Sequence, residues 1–250
     1  RLRKVDGAVR GGRNCGSTLM DAALHKLLTE VDTPTVCNAI EVAQGKRGFS
    51  AFTRGTMVAS HPHAPAMVGY ARTARIRAVE PPAEPPEVIR ARRMAYYKHM
   101  ATGQRPAMAV VQDLDVPNAI GAYWGEINTN IHKSFGLAGT LTDGVMRDLG
   151  DVPDGYPVVA GSVGPSHGFV HVVDIAQPVE IFGMPVSDGD LVHADRHGAL
   201  VIPPDVIPEL AGAIATLMNS ERIIFDAVKG KRLTFEEFED VWAAFEAART

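Results

Sequence analysis

The stretch that most limits how this chain can fold is a short apolar run, Leu137 to Leu141, held between two polar segments. Before it stands Trp124-Gly125-Glu126-Ile127-Asn128. After it comes Asp143-Gly144-Val145-Met146-Arg147-Asp148-Leu149-Gly150-Asp151. A run of that length suits a buried strand. The segment from about Trp124 to Phe135 reads as a helix leading into it, and Ala107 to Gln112 reads as another buried strand ahead of that helix. If the two strands are parallel neighbours joined through the helix, the helix N-terminus lies beyond the C-terminal end of the first strand. Arg147 and Asp148 then lie just beyond the C-terminal end of the second. Ligands of open α/β sheets bind in a crevice of this kind.

The residue types at that crevice suit a small metal-chelating keto acid. Free N–H groups at Gly125, Ile127 and Asn128 would face it, and the helix dipole favours negative charge there. Gly125 lets a ligand come close to the backbone. Arg147 can grip a carboxylate through two parallel charge-assisted bonds. Asp148 offers a hard oxygen ligand, which with few protein donors and several waters favours Mg²⁺ or Mn²⁺ over zinc. Glu126 can serve as a base or hold water, and Asp151, read as one helical turn from Arg147, can orient it. The same letters also fit an ordinary helix start followed by a surface Arg–Asp pair.

The rest of the chain reads as alternating β and α structure. Leu24, Leu27, Leu28 and Val31 repeat with the period of a helix face. Thr33-Pro34 suggests an N-cap and an N1 proline opening a second helix through about Gln44. Gly45 to Pro65 reads as loop with short pieces of structure, Met67 to Ile76 as a strand, and Glu87 to Thr102 as a helix that Gly103 ends. Pro157 to Val163 reads as one strand. The sequence then turns β-rich over His171–Ile175, Val179–Phe182, Leu191–Ala194 and Ala199–Ile202, with a hairpin turn at Asp195-Arg196-His197-Gly198. At the C-terminus Thr234 and Glu237 form a capping box ahead of an apolar face of Phe235, Phe238, Val241, Trp242 and Phe245. The order predicts a layered α/β fold with a mixed sheet, flanking helices and C-terminal helices.

Composition bounds the function. The chain has 250 residues, ordinary apolar and charged content, and a net charge of −4, which argues weakly against nucleic acid as a ligand. No apolar run is long enough to span a bilayer. Cys15 and Cys37 are too few for a disulfide scaffold, so a cytoplasmic setting is the default. Residues 1–19 are Gly- and Arg-rich without apolar periodicity and carry a net +4. They read as a leader or mobile extension, with residues 20–250 as one domain. No Gly-x-Gly-x-x-Gly follows a strand, and no P-loop or nucleophile elbow is present.

From about Leu27 to Pro203 the chain resembles the family of the regulator of ribonuclease activity A and the class II 4-hydroxy-4-methyl-2-oxoglutarate / 4-carboxy-4-hydroxy-2-oxoadipate aldolases. Gly125-Glu126-Ile127, Asp143 to Asp148, and Gly189-Asp190-Leu191-Val192-His193-Ala194-Asp195 running to Gly198–Pro203 carry the resemblance. It implies a three-layer RraA-like fold, homotrimers or homohexamers with sites between subunits, and cleavage of a pyruvate-forming C–C bond with Mg²⁺ or Mn²⁺. It implies that Arg147 binds substrate and polarises the enolate, that Asp148 anchors the metal, and that Glu126 helps hold water on the metal. Backbone amides from 125 to 128 would bind the substrate. Arg147-Asp148-Leu149-Gly150-Asp151 fits the aldolases' Arg-Asp-x-x-Asp/Glu pattern, whereas the ribonuclease regulators depart from the metal-binding Asp. The implied activity is a retro-aldol lyase, with oxaloacetate decarboxylation through the same pyruvate enolate. The alternatives are a regulatory or binding protein of the same fold, or other metal-dependent keto-acid chemistry. Such aldolases also take an acidic residue from a neighbouring subunit, for which Glu221 is a candidate that the resemblance does not fix. Asn38, Tyr70, Tyr123-Trp124 and Gly164–Gly168 depart from the aldolases and leave room for a different keto acid, such as a larger or sugar-derived one.

Several histidines invite comparison. His193, Asp195 and His197 would share one face of a continuous strand, but the turn composition breaks that geometry. His61 and His63 are flanked by prolines. His132 lies on the same predicted helix as Glu126, and His167 sits in a Gly-rich loop within reach of a substrate. Arg72, Arg75 and Arg77 alternate along a strand, as a solvated or intersubunit face does.

Overall fold

The computed structural model describes residues 20–249, so the expected leader at residues 1–19 lies outside the described residues. Two helices, α1 (Ala22–Glu30) and α2 (Thr33–Gln44), lead into β1 (Val58–Ala59) and β2 (Met67–Arg77). Next come α3 (Pro86–Ala101), β3 (Ala107–Asp113), β4 (Ala122–Trp124), α4 (Glu126–Ser134), β5 (Leu137–Thr142) and β6 (Val145–Met146). A β-rich stretch follows, with β7 (Val158–Ala160), β8 (Ser162–Val163), β9 (His171–Ile175) and β10 (Val179–Ile181). It ends in β11 (Met184–Val186), β12 (Leu191–Asp195) and β13 (Gly198–Ile202), before α5 (Ile207–Val228) and α6 (Phe235–Arg249).

The main sheet is mixed, in the order β1-β7-β5-β3-β2-β12-β13. Strands β2, β3, β5 and β7 are parallel, and β1, β12 and β13 run antiparallel to their neighbours. The length of β2 lets one edge fork. Its first half, Met67–Tyr70, pairs with β12, and its second half, Ala74–Arg77, pairs with β9. The parallel pairing of β3 with β5 is the one expected from sequence.

Helices flank this sheet, as the predicted fold class requires. Leu28, Val36, Ile40, Leu210, Ile214 and Leu217 of α1, α2 and α5 form one core over β2, β12 and β13. A second core gathers Tyr96, Met100, Trp124, Met146 and Tyr156 between α3, the parallel strands and a small second sheet. Each such side chain stabilises by about 1.5–3 kcal/mol when fully withdrawn from water. A third core lies under the β10–β11 hairpin.

Four local expectations need correction. Asp32, not Thr33, caps α2: its carboxylate accepts from the Thr35 N–H at 2.9 Å, while the Thr33 hydroxyl turns inward to His193 Nδ1 at 3.0 Å. The helix expected from Trp124 starts at Glu126, because Ala122–Trp124 is a strand. The single strand expected at Pro157–Val163 is two strands in different sheets, parted at Gly161. A Cβ there would lie 2.1 Å from the Asp143 carbonyl oxygen, so the chain can pass only as glycine. Finally, Met184–Val186 forms a hairpin partner for β10 that its short length and central proline hid. The capping box is present, with Glu237 N–H donating to Thr234 Oγ1 and Thr234 N–H to Glu237 Oε2. Of the apolar face beyond it, Phe245 is buried while Phe235, Phe238 and Trp242 are exposed. Among the described residues no helix is long and apolar enough to cross a membrane.

Candidate active site

The small parallel sheet β4-β6-β8 assembles the site. Trp124 pairs with Met146, and the Arg147 N–H donates to the Trp124 carbonyl at 3.0 Å. This register brings Gly125, the N-cap of α4, beside Arg147 and Asp148. Asp148 has φ +55°, a left-handed conformation uncommon for a side chain other than glycine but accessible to Asp. Its Oδ2 accepts from the Glu126 N–H at 3.0 Å and so caps α4 from across the sheet. Arg147 Nε lies 3.4 Å from the same oxygen. That approach is an ion-pair contact and not a hydrogen bond, since the buried Nε has no aligned acceptor among the described residues.

Close approach requires glycine at 125. Its φ of −120° suits any residue. A Cβ, however, would sit 2.4 Å from Asp148 Oδ2 and 2.8 Å from Arg147 Nε. The Ile127 and Asn128 N–H groups precede the first intrahelical bond of α4, Thr129 N–H to the Gly125 carbonyl, and no acceptor for them is present among the described residues. The Asn128 side chain is fixed, accepting from Tyr97 Oη at 3.3 Å and donating to the Tyr123 carbonyl at 3.1 Å.

These groups open onto a cleft of about 240 Å³. Gly125, Ile127, Asn128 and Arg147 line it, together with His167 and, from α3, Arg93 and Tyr97. Glu126 is exposed and, like Asp148, is not among the residues that line the cleft. Asp151 is not brought to Arg147. The segment after β6 is a turn and not a helix, in which the Asp151 N–H donates to the Asp148 carbonyl at 2.8 Å. Among the described residues its carboxylate makes no ion pair.

The donor set bears on whether the site could hold a metal. Among the described residues no three His, Cys, Asp or Glu side chains gather as a metal cluster, which rules poorly for a closed zinc site. Asp148 Oδ1 makes no hydrogen bond among the described residues, and the side chain is 38% exposed. One free carboxylate oxygen beside Gly125 and Arg147, which do line the cleft, would suit Mg²⁺ or Mn²⁺, which keep several waters and take the remaining ligands from substrate.

The other candidates separate. His132 is fully buried, with Nε2 at 2.7 Å from Tyr96 Oη and Nδ1 at 2.7 Å from the Asn128 carbonyl. Burial lowers its pKa to about 4, so it is a neutral core residue and cannot reach the cleft. His193 is likewise buried, between Thr33 and the Leu28 carbonyl, and Asp195 accepts from the Thr33 and His197 N–H groups. His197 Nδ1 lies 3.1 Å from Asp195 Oδ1, but His193 is held apart by Thr33 and Leu28, so among the described residues the three do not gather as a metal site. His61 leans on Ser60, and Arg72 and Arg75 are paired with Asp188 and Asp174.

Sequence reasoning passed over two buried carboxyls, Asp113 at the end of β3 and Asp143 just after β5. Asp143 Oδ1 accepts from the Asp113 N–H at 2.7 Å. Burial lifts Asp113 to about 6 and Asp143 to about 7. Their position at the carboxyl ends of adjacent parallel strands was the available signal. Arg93 and Tyr97 were missed for a different reason: only the packing of α3 against α4 reveals which face of α3 meets the cleft.

A family model described as RraA-like, Aldolase/RraA, matches residues 33–201. The chain belongs to that family. It is 30% identical over 114 residues to Protein DlpA of Legionella pneumophila, a match covering 44% of this chain and 18% of that protein. It is 28% identical over 109 residues to the uncharacterized protein MJ0644 of Methanocaldococcus jannaschii, covering 43% of this chain and 52% of the relative. The matched stretch therefore spans about half or less of either curated relative. Among solved structures, an uncharacterized protein from Pseudomonas syringae pv. tomato superposes with a TM-score of 0.67 at 19% identity, covering 98% of this chain and 99% of the other. RraAS2 of Streptomyces coelicolor, described as an unusual member of the RNase ES inhibitor RraA family, superposes with a TM-score of 0.59 at 24% identity. That match covers 81% of this chain and 93% of the other. At these identities the two structures share the RraA-like fold with this chain.

Proposed function

We propose that this RraA-like protein is a divalent-metal-dependent lyase that cleaves a C–C bond of a 4-hydroxy-2-oxo acid by a retro-aldol reaction, releasing pyruvate. The observation that carries this reading is the joint placement of Arg147, Asp148 and the open amides of Ile127 and Asn128 around Gly125. The family includes both lyases and inhibitors, and the retained Asp148 favours the lyase.

The substrate carboxylate accepts from the Ile127 and Asn128 N–H groups at the positive end of α4. Arg147, whose side chain lines the cleft, donates to the 2-oxo oxygen. Asp148 would hold Mg²⁺ or Mn²⁺, which when bound would supply Lewis acidity at the keto acid. Glu126, through a water, takes the proton of the 4-hydroxyl. The C3–C4 bond then breaks, its electron pair passes into the pyruvate enolate, and C4 leaves as a carbonyl. Arg147 stabilises the enolate oxygen where the charge develops. Protonation at C3 completes pyruvate. Oxaloacetate loses CO₂ through the same enolate, so decarboxylation is a second expected activity. Asp151 contributes through the turn that fixes Asp148. The reading carries a homotrimer or homohexamer in the cytoplasm, with a small-molecule substrate and no nucleic-acid or membrane partner.

The test is pyruvate release from 4-hydroxy-4-methyl-2-oxoglutarate, 4-carboxy-4-hydroxy-2-oxoadipate and oxaloacetate, with Mg²⁺, with Mn²⁺ and with EDTA. Release that EDTA abolishes supports the lyase. A folded, metal-loaded protein that releases none from the whole panel defeats it and turns attention to a regulatory protein of the same fold.

A further inference from the structure

The cleft has a second cationic side chain. Arg93 lines it from α3, Arg147 lines it from the end of β6, and among the lining residues there is no carboxylate. Arg93 and Tyr97 lie four residues apart and so share one face of α3. Tyr97 ties that face to α4 through its hydrogen bond to Asn128. The guanidinium of Arg93 is close enough to Tyr123, also in the wall, for its charge to act on that phenol.

Its neighbour on α3 behaves differently. Arg92 is committed to Glu84 at 2.7 Å and to the Val172 carbonyl at 3.2 Å. Among the described residues Arg93 makes no ion pair or hydrogen bond of its own. A guanidinium left without a counter-ion on the wall of a cleft is available to a ligand anion. The cleft volume of about 240 Å³ corresponds to roughly eight waters of liquid, more than a bound pyruvate occupies.

We infer that Arg93 is a specificity-determining residue that binds a second anionic group, at the far end of a 2-oxo acid whose near end sits on Arg147 and the α4 amides. The inference rests on the keto-acid reading of the site and adds to it the charge of the substrate's tail. A carboxylate and a phosphate monoester share the chemistry that Arg93 recognises. His167, across the same wall, holds Nδ1 at 2.7 Å from the Gly168 carbonyl, which leaves Nε2 as a second polar group beside that tail.

The test compares three 4-hydroxy-2-oxo acids in the pyruvate-release assay, one with a neutral methyl tail, one with a carboxylate and one with a terminal phosphate monoester. The wild-type protein is expected to prefer an anionic tail. Arg93→Gln is expected to lower the ratio of anionic-tail to neutral-tail kcat/KM by about 10- to 100-fold, the scale of a lost charge-assisted pair. Arg93→Lys restores part of it. The ratio is internal to each variant, so a general loss of folded protein cannot mimic the effect. Which anionic tail loses more identifies the source. An unchanged ratio, or equal loss on all three, overturns the inference and leaves the lyase reading intact. Calorimetric binding of 2-oxoglutarate against 2-oxopentanoate in Mg²⁺ provides a readout free of turnover. If no substrate reacts yet Arg93→Gln erases a preference for 2-oxoglutarate, the lyase reading falls and anion recognition stands. If neither ligand is preferred, recognition by Arg93 falls as well.

Discussion

Replacing Asp148 separates the metal-anchoring role proposed for it from its structural one, because different side chains remove the two separately. Oδ2 caps α4 through the Glu126 N–H, and the backbone sits at φ +55°. Asn keeps an oxygen in place of the cap and tolerates the left-handed region. It loses the contact with Arg147, which at 33% and 38% side-chain exposure is worth less than about 1 kcal/mol, and a helix-end charge worth about 0.3–1 kcal/mol. Ala loses the cap, about 1 kcal/mol, adds left-handed strain of about 1–2 kcal/mol, and loses the charge terms too. Gly relieves the strain and loses the cap. The expected order of stability is Asp, Asn, Gly, Ala, with Asn within about 2 kcal/mol of wild type and Ala about 2–5 kcal/mol below it. Turnover should not follow that order. A metal anchor contributes several kcal/mol at the transition state, so all three variants should lose about a thousandfold or more in kcat. Urea denaturation gives the first series, and metal-dependent pyruvate release gives the second. If Asn retains turnover within about tenfold of wild type, Asp148 is a helix cap and nothing more. If turnover merely tracks stability across the three, the chemical role assigned to it is wrong.

Gly125→Ala should lower kcat/KM by about 10- to 100-fold at a stability cost of about 1–3 kcal/mol, since the new Cβ displaces Asp148 and Arg147 while the backbone stays relaxed. A fully active Ala variant, judged by the same pyruvate assay, would remove the close approach from the mechanism. Burial favours the protonated form of Asp143 and raises its pKa from 3.8 to about 7. Native protein therefore keeps a proton that unfolded protein gives up between those values, and stability is lost as pH rises through them. Asp143→Asn keeps the oxygen that accepts from Asp113 and should add about 2–4 kcal/mol at pH 8, little below pH 4. Denaturation midpoints that show the same gain at both pH values contradict the buried-carboxyl account. His132 works in the opposite direction. Its lowered pKa means the unfolded chain binds a proton first, so stability falls as pH drops from about 6.5 toward 4. His132→Phe should weaken that acid-side loss in pH-dependent melts, and it should leave the pH profile of turnover unshifted, because the ring is sealed behind Tyr96.

The elements with a regular pattern were legible from the chain. The parallel β3–β5 pair, the helix between them, the hairpin at Arg196-His197 and the C-terminal capping box all follow from apolar spacing and local capping chemistry. What the pattern hid was the short strands. β4, β6 and β8 have two or three residues each, too few to display an alternation, and their pairing is set by long-range contacts. Ala122–Trp124 therefore merged with the helix that follows it, and Val145–Met146 merged with the turn that follows it.

That hidden sheet matters to the site more than the visible one. The sequence placed Gly125 and Arg147 at the ends of two neighbouring strands of the main sheet, an arrangement that leaves their separation open. The structure adds the Trp124–Met146 pairing, which fixes Arg147 one residue past a ladder bond to Trp124 and folds Asp148 back onto Glu126. The juxtaposition was readable because both segments lie beyond strand ends. The contact was not, because it depends on a left-handed φ at Asp148 that no local rule assigns to an Asp before Leu. Asp151 illustrates the same limit. Its spacing from Arg147 suggested a helical neighbour, but the chain runs from strand to turn, and i to i+4 proximity holds only where a helix exists. Spacing in sequence locates candidate chemistry, whereas the backbone path between the candidates decides which of them touch.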